Sequence, residues 1–434
     1  MLNFIFLALY IFGYNFLPGS DLYILLTIQF GILGAQELSK KKIAVTPVTV
    51  YYLGTIIVNI ANIGFISKIG HEPLNIYTFI IPQYINLAAL IWCVSSTIVV
   101  IGYDFFKKKT LPSLYMEIKS KRVLKWIFYF LLLLNIAQLY GFGVGRGQIG
   151  KTIGLVNAIG ILFYARLWAK ENSKTYRFYA LSLYLLLTYF FLTNSYLRFE
   201  LILPTFYLFV GYFIGKGELR YLFSYRIFPI VAIFAIYSSA FAELESNRSN
   251  FLATFTKKEV ATNVRIAPEH ESGGFWDRSS NVAQMTNCVA LVERNGLYEG
   301  KVSAPLLTAI IPRFLWPGKP KIQIGAWFAL EIGAANLTEY GYANNSVNMT
   351  VAGELYLDFG WLGVVIGSFL FGGFISILWN STQFYTSEYN LTGIIFGGYL
   401  MMLSLGSYAD LQITVTLASS YLIFLFIKKV AIRF

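Results

Sequence analysis

Four arginines stand apart from the basic clusters of this chain. Arg198 lies in NSYLRFELILP beside Glu200, Arg278 in FWDRSS, Arg294 in VERNG, and Arg313 in IPRFLWPGKP. A planar guanidinium presents paired donors to phosphate and carboxylate oxygens, so a converging set of arginines implies an anionic ligand. Lys319 and Lys321 follow Arg313 as possible point charges, and Trp316 adds an aromatic face beside it. No glycine-rich Walker-type loop accompanies these cations, which argues against a nucleotide. Plainer roles stand beside the functional ones. Arg198 could snorkel from a helix end, and Arg313 could stack on the neighbouring rings. Arg278 sits just before a helical pattern, where a cation costs about 0.3–1 kcal/mol, so helix stability does not explain it. Arg294 falls in the last turn of that pattern, where the helix dipole favours a cation. Its role is read as chiefly structural, with contact to substrate as the alternative.

Carboxylates form a second constellation. Glu354 and Asp358 are four residues apart in GELYLDFGWLG and share one helical face. Ionisable groups inside apolar segments are costly and tend to carry function, general-base work included. The alternative is that they cap a helix or pair with an arginine. Asp410 is a weaker candidate of the same kind. His270, in PEHES, could act as a base or contact substrate, although a histidine between two acids in a loop is more often solvated. The two cysteines, Cys93 and Cys288, and the two histidines, His71 and His270, offer no disulfide framework or metal-ligand cluster. No metal or cofactor is expected.

The elements that position these residues follow from composition. Apolar residues make up 56% of the chain and charged residues 13%, against about 25% charged in soluble domains. Mean hydropathy is +0.60, so the chain reads as all-α and polytopic. A hydrocarbon core of about 30 Å takes roughly 20 residues of helix. On that basis about twelve spans are expected, at 2–17, 21–36, 47–66, 78–102, 124–142, 151–168, 178–194, 199–215, 227–242, 351–379, 391–408 and 411–428. The organisation predicted is N-terminal spans over 1–241, a large loop over 242–350, and C-terminal spans over 351–434.

The net charge of +12 could suggest nucleic acid, but its placement speaks for membrane orientation instead. Loops 36–46, 104–125, 166–177 and 216–226 and the C-terminal tail hold 20 of the 34 lysines and arginines. The short loops of the other side hold only Lys68, Arg146, Lys151 and Arg198. Both termini are therefore expected in the cytoplasm and loop 242–350 outside. Loop 380–390, expected on the cytoplasmic side, has no basic residue. Within the large loop, Val282, Met285, Val289 and Val292 recur at helical spacing. Ser279 or Ser280 could start that helix and Gly296 end it. Segments 304–311 and 324–335 are apolar but too short to span. A break at Thr193-Asn194-Ser195 divides 178–215 into two helices and places Arg198 at an outer mouth.

The NSYLR break, the PRFLWPGKP segment and the Asn-rich stretch leading into GELYLDFGWLG together resemble the bacterial Wzy-type (O-antigen) oligosaccharide repeat unit polymerases. The resemblance is strongest over 190–370 and architectural elsewhere. Related O-antigen ligases carry a His-Asn pair ahead of an acidic-x-Gly-x-x-Gly helix start. Here Asp358, Gly360 and Gly363 supply that start, while Asn344, Asn345 and Asn348 stand upstream without a histidine. That departure favours a polymerase, with Asn345 as a substrate contact. The resemblance implies glycosyl transfer between undecaprenyl-pyrophosphate-linked oligosaccharides at the outer leaflet of the bacterial inner membrane, as in lipopolysaccharide synthesis. It implies that Arg198, Arg278 and Arg313 stabilise the departing pyrophosphate, and that Glu354 or Asp358 orients or deprotonates the acceptor. Partners would be the lipid bilayer, the lipid-linked substrates, and a chain-length regulator and flippase. The alternatives are a flippase for the same lipids, which would more often show two similar halves, and a ligase-like transferase.

Overall fold

The computed structural model describes residues 1–39, 45–67, 69, 80–139, 148–194, 198–217, 280–308, 311, 316, 318, 324–337, 343, 346–404 and 411–431. Every regular element among them is helical, and extended pairing is confined to two isolated bridges, Glu117 with Asn390 and Leu337 with Ala343. In chain order the helices are α1 (Leu2–Gly13), α2 (Gly19–Leu38), α3 (Pro47–Ser67), α4 (Ile85–Phe105), α5 (Lys121–Leu139), α6 (Gln148–Glu171), α7 (Lys174–Asn194) and α8 (Arg198–Lys216). Then follow α9 (Val282–Asn295), α10 (Ala304–Leu307), α11 (Ile324–Glu331), α12 (Thr350–Leu362), α13 (Ser368–Thr382), α14 (Leu391–Leu403) and α15 (Leu411–Ala431).

Among the described residues three helical stretches are long and apolar enough to cross a membrane: Pro47–Ser67, Pro82–Phe105 and Thr350–Thr382. Leu2–Gly13 and Leu391–Leu403 are apolar but shorter. The expected span 227–242 lies outside the described residues. Helix α4 is the axis. It is buried without interruption from Ala88 to Val100, as expected of a helix that is apolar on every face.

Close approach between helices is made by glycine. On α4 and α13 a Cβ at Gly102 would lie 2.1 Å from the Phe369 carbonyl oxygen, and one at Gly372 would lie 2.0 Å from that of Val99. On α8, Gly211 and Gly215 meet α6 at Ala165 and Ala169, a small-xxx-small contact on both helices. Buried polar groups bridge helices in between. Tyr10 donates to Gln29, Gln29 to Asn3 at 2.8 Å, and Thr97 to Gln29 at 3.1 Å. Trp92 Nε1 donates to Asn59 at 3.0 Å, and the Ser95 and Ser368 hydroxyls pair at 2.7 Å. Without water such groups must find one another.

The described parts of loops 36–46, 104–125 and 166–177 gather at one end, around segment 380–390. Tyr385 donates to the Val45 carbonyl at 2.8 Å, and Asn380 Nδ2 to the carbonyls of Lys107 and Lys109 at 2.7 and 3.0 Å. The amides of Leu114 and Ile118 donate to Ser381 and Tyr389. Arg166, only 3% exposed, donates from Nη1 to the Phe384 carbonyl at 3.0 Å and lies 4.7 Å over the Phe384 ring. Lys170 pairs with Glu388 at 3.2 Å. Segment 380–390 thus shares an end with the basic loops although it holds no lysine or arginine. It supplies the acceptors, rings and carboxylate to which their cations turn.

One expected span is not a single rod. Gly360 has φ 59° and ψ −141°, and the chain folds back there. In a continuous helix Leu355 and Gly367 would be about 18 Å apart. Instead a Cβ at Gly367 would lie 2.4 Å from the Leu355 side chain, and one at Gly363 would lie 2.2 Å from the Leu355 carbonyl oxygen. The length that qualifies Thr350–Thr382 as a span therefore sums two antiparallel arms. The second arm, 361–382, is still about 33 Å long by helical rise, enough for the hydrocarbon core. The first, 350–359, is too short to cross.

Candidate functional site

The short arm carries both candidate carboxylates, and each is held by backbone amides from a distant part of the chain. Asp358 is 1% exposed. Its Oδ1 accepts from Val302 N at 3.0 Å and its Oδ2 from Ser303 N at 2.7 Å. The backbone repeats the attachment, since Tyr298 N and Glu299 N donate to the carbonyls of Leu357 and Asp358, both at 2.9 Å. Asp358 therefore clamps the turn after α9. Glu354, one helical turn earlier and 4% exposed, accepts at Oε2 from Leu411 N at 3.1 Å. A carboxylate at the first amide of α15 offsets the positive end of that helix dipole. The i, i+4 spacing puts both groups on one face, and the two are drawn to different partners.

Packing around the arm explains its burial. A Cβ at Gly353 would lie 2.9 Å from Cys288 Sγ on α9. Burial, and then the Glu354 carboxylate, push the Cys288 thiol well above its ordinary value, so it stays protonated. Cys288, Leu291, Val302, Leu306, Phe328 and Leu357 form a small apolar core joining α9, α10 and α11 to the arm. The arm starts under strain: Thr350 holds φ 66°, a left-handed conformation that β-branched residues rarely adopt. Two local hydrogen bonds hold it there. Asn348 Oδ1 accepts from Thr350 N at 2.8 Å, and Thr350 Oγ1 accepts from Gly353 N at 3.3 Å.

The start of α9 is fixed by Asn62 of α3, which sequence reasoning missed. Asn62 Oδ1 accepts from Ser280 Oγ and Asn281 N, and its Nδ2 donates to Asn281 Oδ1, all at 2.9 Å. Ser280, expected as a helix cap, accepts from Val282 N at 3.3 Å while bonding to Asn62. Gly296 ends α9 with φ 77°, as its position predicts. A signal for Asn62 exists in retrospect. A wholly buried asparagine in an apolar helix needs a partner.

Of the other candidates, Arg294 is exposed, 3.9 Å from Glu331 of α11, with Nε donating to Asn295 at 3.2 Å. Trp316 is exposed. Arg198 is the first residue of α8, at the end away from the basic segments, where α7 stops at Asn194. Its side chain lies outside the described residues. Arg278, Arg313, Lys319, Lys321, His270, Asn345 and Asp410 also lie outside them. The structure thus brings Glu354, Asp358 and the α9 region together, and does not describe how the arginines stand to them.

Asp358→Ala is expected to destabilise the protein by about 2–6 kcal/mol, because one buried and one partly buried amide lose their acceptor at about 1–3 kcal/mol each. Asp358→Asn, which keeps one acceptor oxygen, should recover about half. Thermal unfolding of the purified protein in lipid measures both, and an unchanged midpoint for the alanine variant would refute the clamp.

No protein-family model, curated protein or solved structure matches the chain.

Proposed function

We propose that this chain is a membrane glycosyltransferase that polymerises undecaprenyl-pyrophosphate-linked oligosaccharides at the outer leaflet of a bacterial inner membrane. The observation that carries the proposal is the buried arm 350–359. It brings a carboxylate, Glu354, to the side of the bundle where α9 packs. Three apolar helices support a membrane setting. The gathering of basic segments at one end supports orientation with that end toward the cytoplasm and α9 to α11 outside.

In this proposal an acceptor hydroxyl of one lipid-linked unit attacks the anomeric carbon of another. The bond from that carbon to the pyrophosphate oxygen breaks, and the lipid pyrophosphate leaves. Glu354 takes the hydroxyl proton. Asp358, with both oxygens engaged by amides, positions the arm instead of reacting. Arg198, Arg278 and Arg313 stabilise the charge growing on the leaving pyrophosphate.

The test is reconstitution. Purified protein in lipid is supplied with undecaprenyl-pyrophosphate oligosaccharides, and products are resolved by length. A ladder with release of lipid pyrophosphate supports the proposal. Transfer of intact substrate between leaflets without a ladder replaces it with a flippase. In this assay Arg198→Ala is expected to lower turnover about 100-fold or more, as for other lost transition-state donors, with insertion and folding retained. Wild-type turnover would remove Arg198 from the site.

A further inference from the structure

A cluster of cations and rings lies at the basic end of the molecule. Among the described residues Lys121, Arg122, Lys125, Trp126 and Tyr129, all on the first three turns of α5, line a shallow cleft of about 600 Å³ that is largely open to the surroundings. The helix repeat sets Lys121, Lys125 and Tyr129 in one row and Arg122 and Trp126 in the next, so cations and rings share one face. Lys125 Nζ lies 5.6 Å over the Tyr129 ring, which holds the ammonium against the aromatic wall.

These three cations, like Lys107 to Lys109 and Lys174, stand in none of the ion pairs formed at this end among the described residues. Lys119 pairs with Glu117 at 3.2 Å, Lys170 pairs with Glu388 at 3.2 Å, and Arg166 is buried on the Phe384 carbonyl. Among the described residues Lys121, Arg122 and Lys125 have no carboxylate within reach. Helix stability does not account for them, because cations are disfavoured in the first turn. An orientation signal accounts for their sign, but not for the setting of the cations and the Trp126 and Tyr129 rings on one face. The next face of the helix, which shares Trp126 with this one, carries the exposed apolar side chains Val123, Trp126, Phe130 and Leu133 at helical spacing. That stripe fits acyl chains, with the cleft at headgroup height where tryptophan and tyrosine collect.

We propose that this cleft binds the headgroup of an anionic phospholipid of the basic-end leaflet. The phosphate would sit among Lys121, Arg122 and Lys125, and its acyl chains along the stripe from Val123 to Leu133. The chemistry on the page is a triple positive charge, an aromatic rim and an adjoining apolar face. A free phosphate would use only the first of these.

The probe is brominated phosphatidylglycerol, or brominated phosphatidylcholine, as a minor component of vesicles holding the full chain. The part of the tryptophan fluorescence lost in Trp126→Phe reports the cleft. Each basic residue near an anionic surface favours it roughly fivefold. Trp126 should therefore be quenched at a phosphatidylglycerol fraction at least tenfold below the phosphatidylcholine fraction needed. Lys121→Gln, Arg122→Gln and Lys125→Gln together should erase the difference. Arg122→Gln alone leaves two cations to keep the helix oriented, and should reduce it severalfold. Equal quenching by the two lipids in the wild type overturns the proposal, as does a preference that survives the triple substitution in inserted protein. A preference abolished by millimolar inorganic phosphate at constant ionic strength also overturns it, by assigning the cleft to free anions.

Discussion

Glu354→Gln is expected to lower chain elongation at least 100-fold, and by as much as about 10,000-fold, while the protein stays folded. Glutamine keeps a side-chain oxygen that can accept from Leu411 N, now 3.1 Å from Glu354 Oε2. It cannot take a proton. The substitution therefore separates the observed anchoring of Leu411 from the proton transfer proposed for the same carboxylate. Glu354→Ala removes both, and should add a destabilisation of about 1–3 kcal/mol from the orphaned amide of Leu411. Activity is read from the product ladder and stability from thermal unfolding of the same preparations. Near-normal turnover in the glutamine variant would leave Glu354 as an anchor of α15 and place the general base elsewhere.

The second large effect concerns the α4–α13 contact. Gly372→Val is expected to destabilise the protein by about 3 kcal/mol, the upper part of the usual cost of overpacking. A Cβ there would lie 2.0 Å from the Val99 carbonyl oxygen and 3.0 Å from Tyr103 N. Both are backbone atoms of the most buried helix, so a rotamer change cannot relieve the clash. Gly64→Val on α3 is the control, since nothing lies within 4 Å of the added atom. It should be neutral or slightly stabilising, as valine is the better helix former. Comparable melting points for the two variants would mean that the helices separate more readily than their spacing implies.

Much of the helix inventory was legible in the sequence because apolar runs of spanning length have few other solutions. The ends of α7 and α8 at Asn194 and Arg198 follow from the Thr-Asn-Ser break, and the end of α9 follows from Gly296. The fold-back at Gly360 was not legible. Gly353, Gly360, Gly363 and Gly367 all punctuate one apolar stretch, and only one adopts positive φ. A single glycine is tolerated in a helix at about 1 kcal/mol, so composition cannot say which one turns the chain. The spacing of Glu354 and Asp358 showed that they share a face. It could not show that one meets residues 302–303 and the other residue 411, because those contacts depend on the fold-back. Small residues at 211 and 215 announce a close helix contact, but α6 as the partner is a fact of topology. For the arginines the sequence supplies residue type and setting only.

The two carboxylates also differ in when their partners exist. The amides that hold Asp358 belong to residues made 55 and 56 positions earlier, so they are already present when Asp358 leaves the ribosome. The amide that holds Glu354 is made 57 positions later, at the start of the last helix. During synthesis the arm can therefore dock on the turn after α9 at once, with its second charge still lacking that donor. In order of synthesis, then, the arm can meet the turn after α9 before it can meet α15.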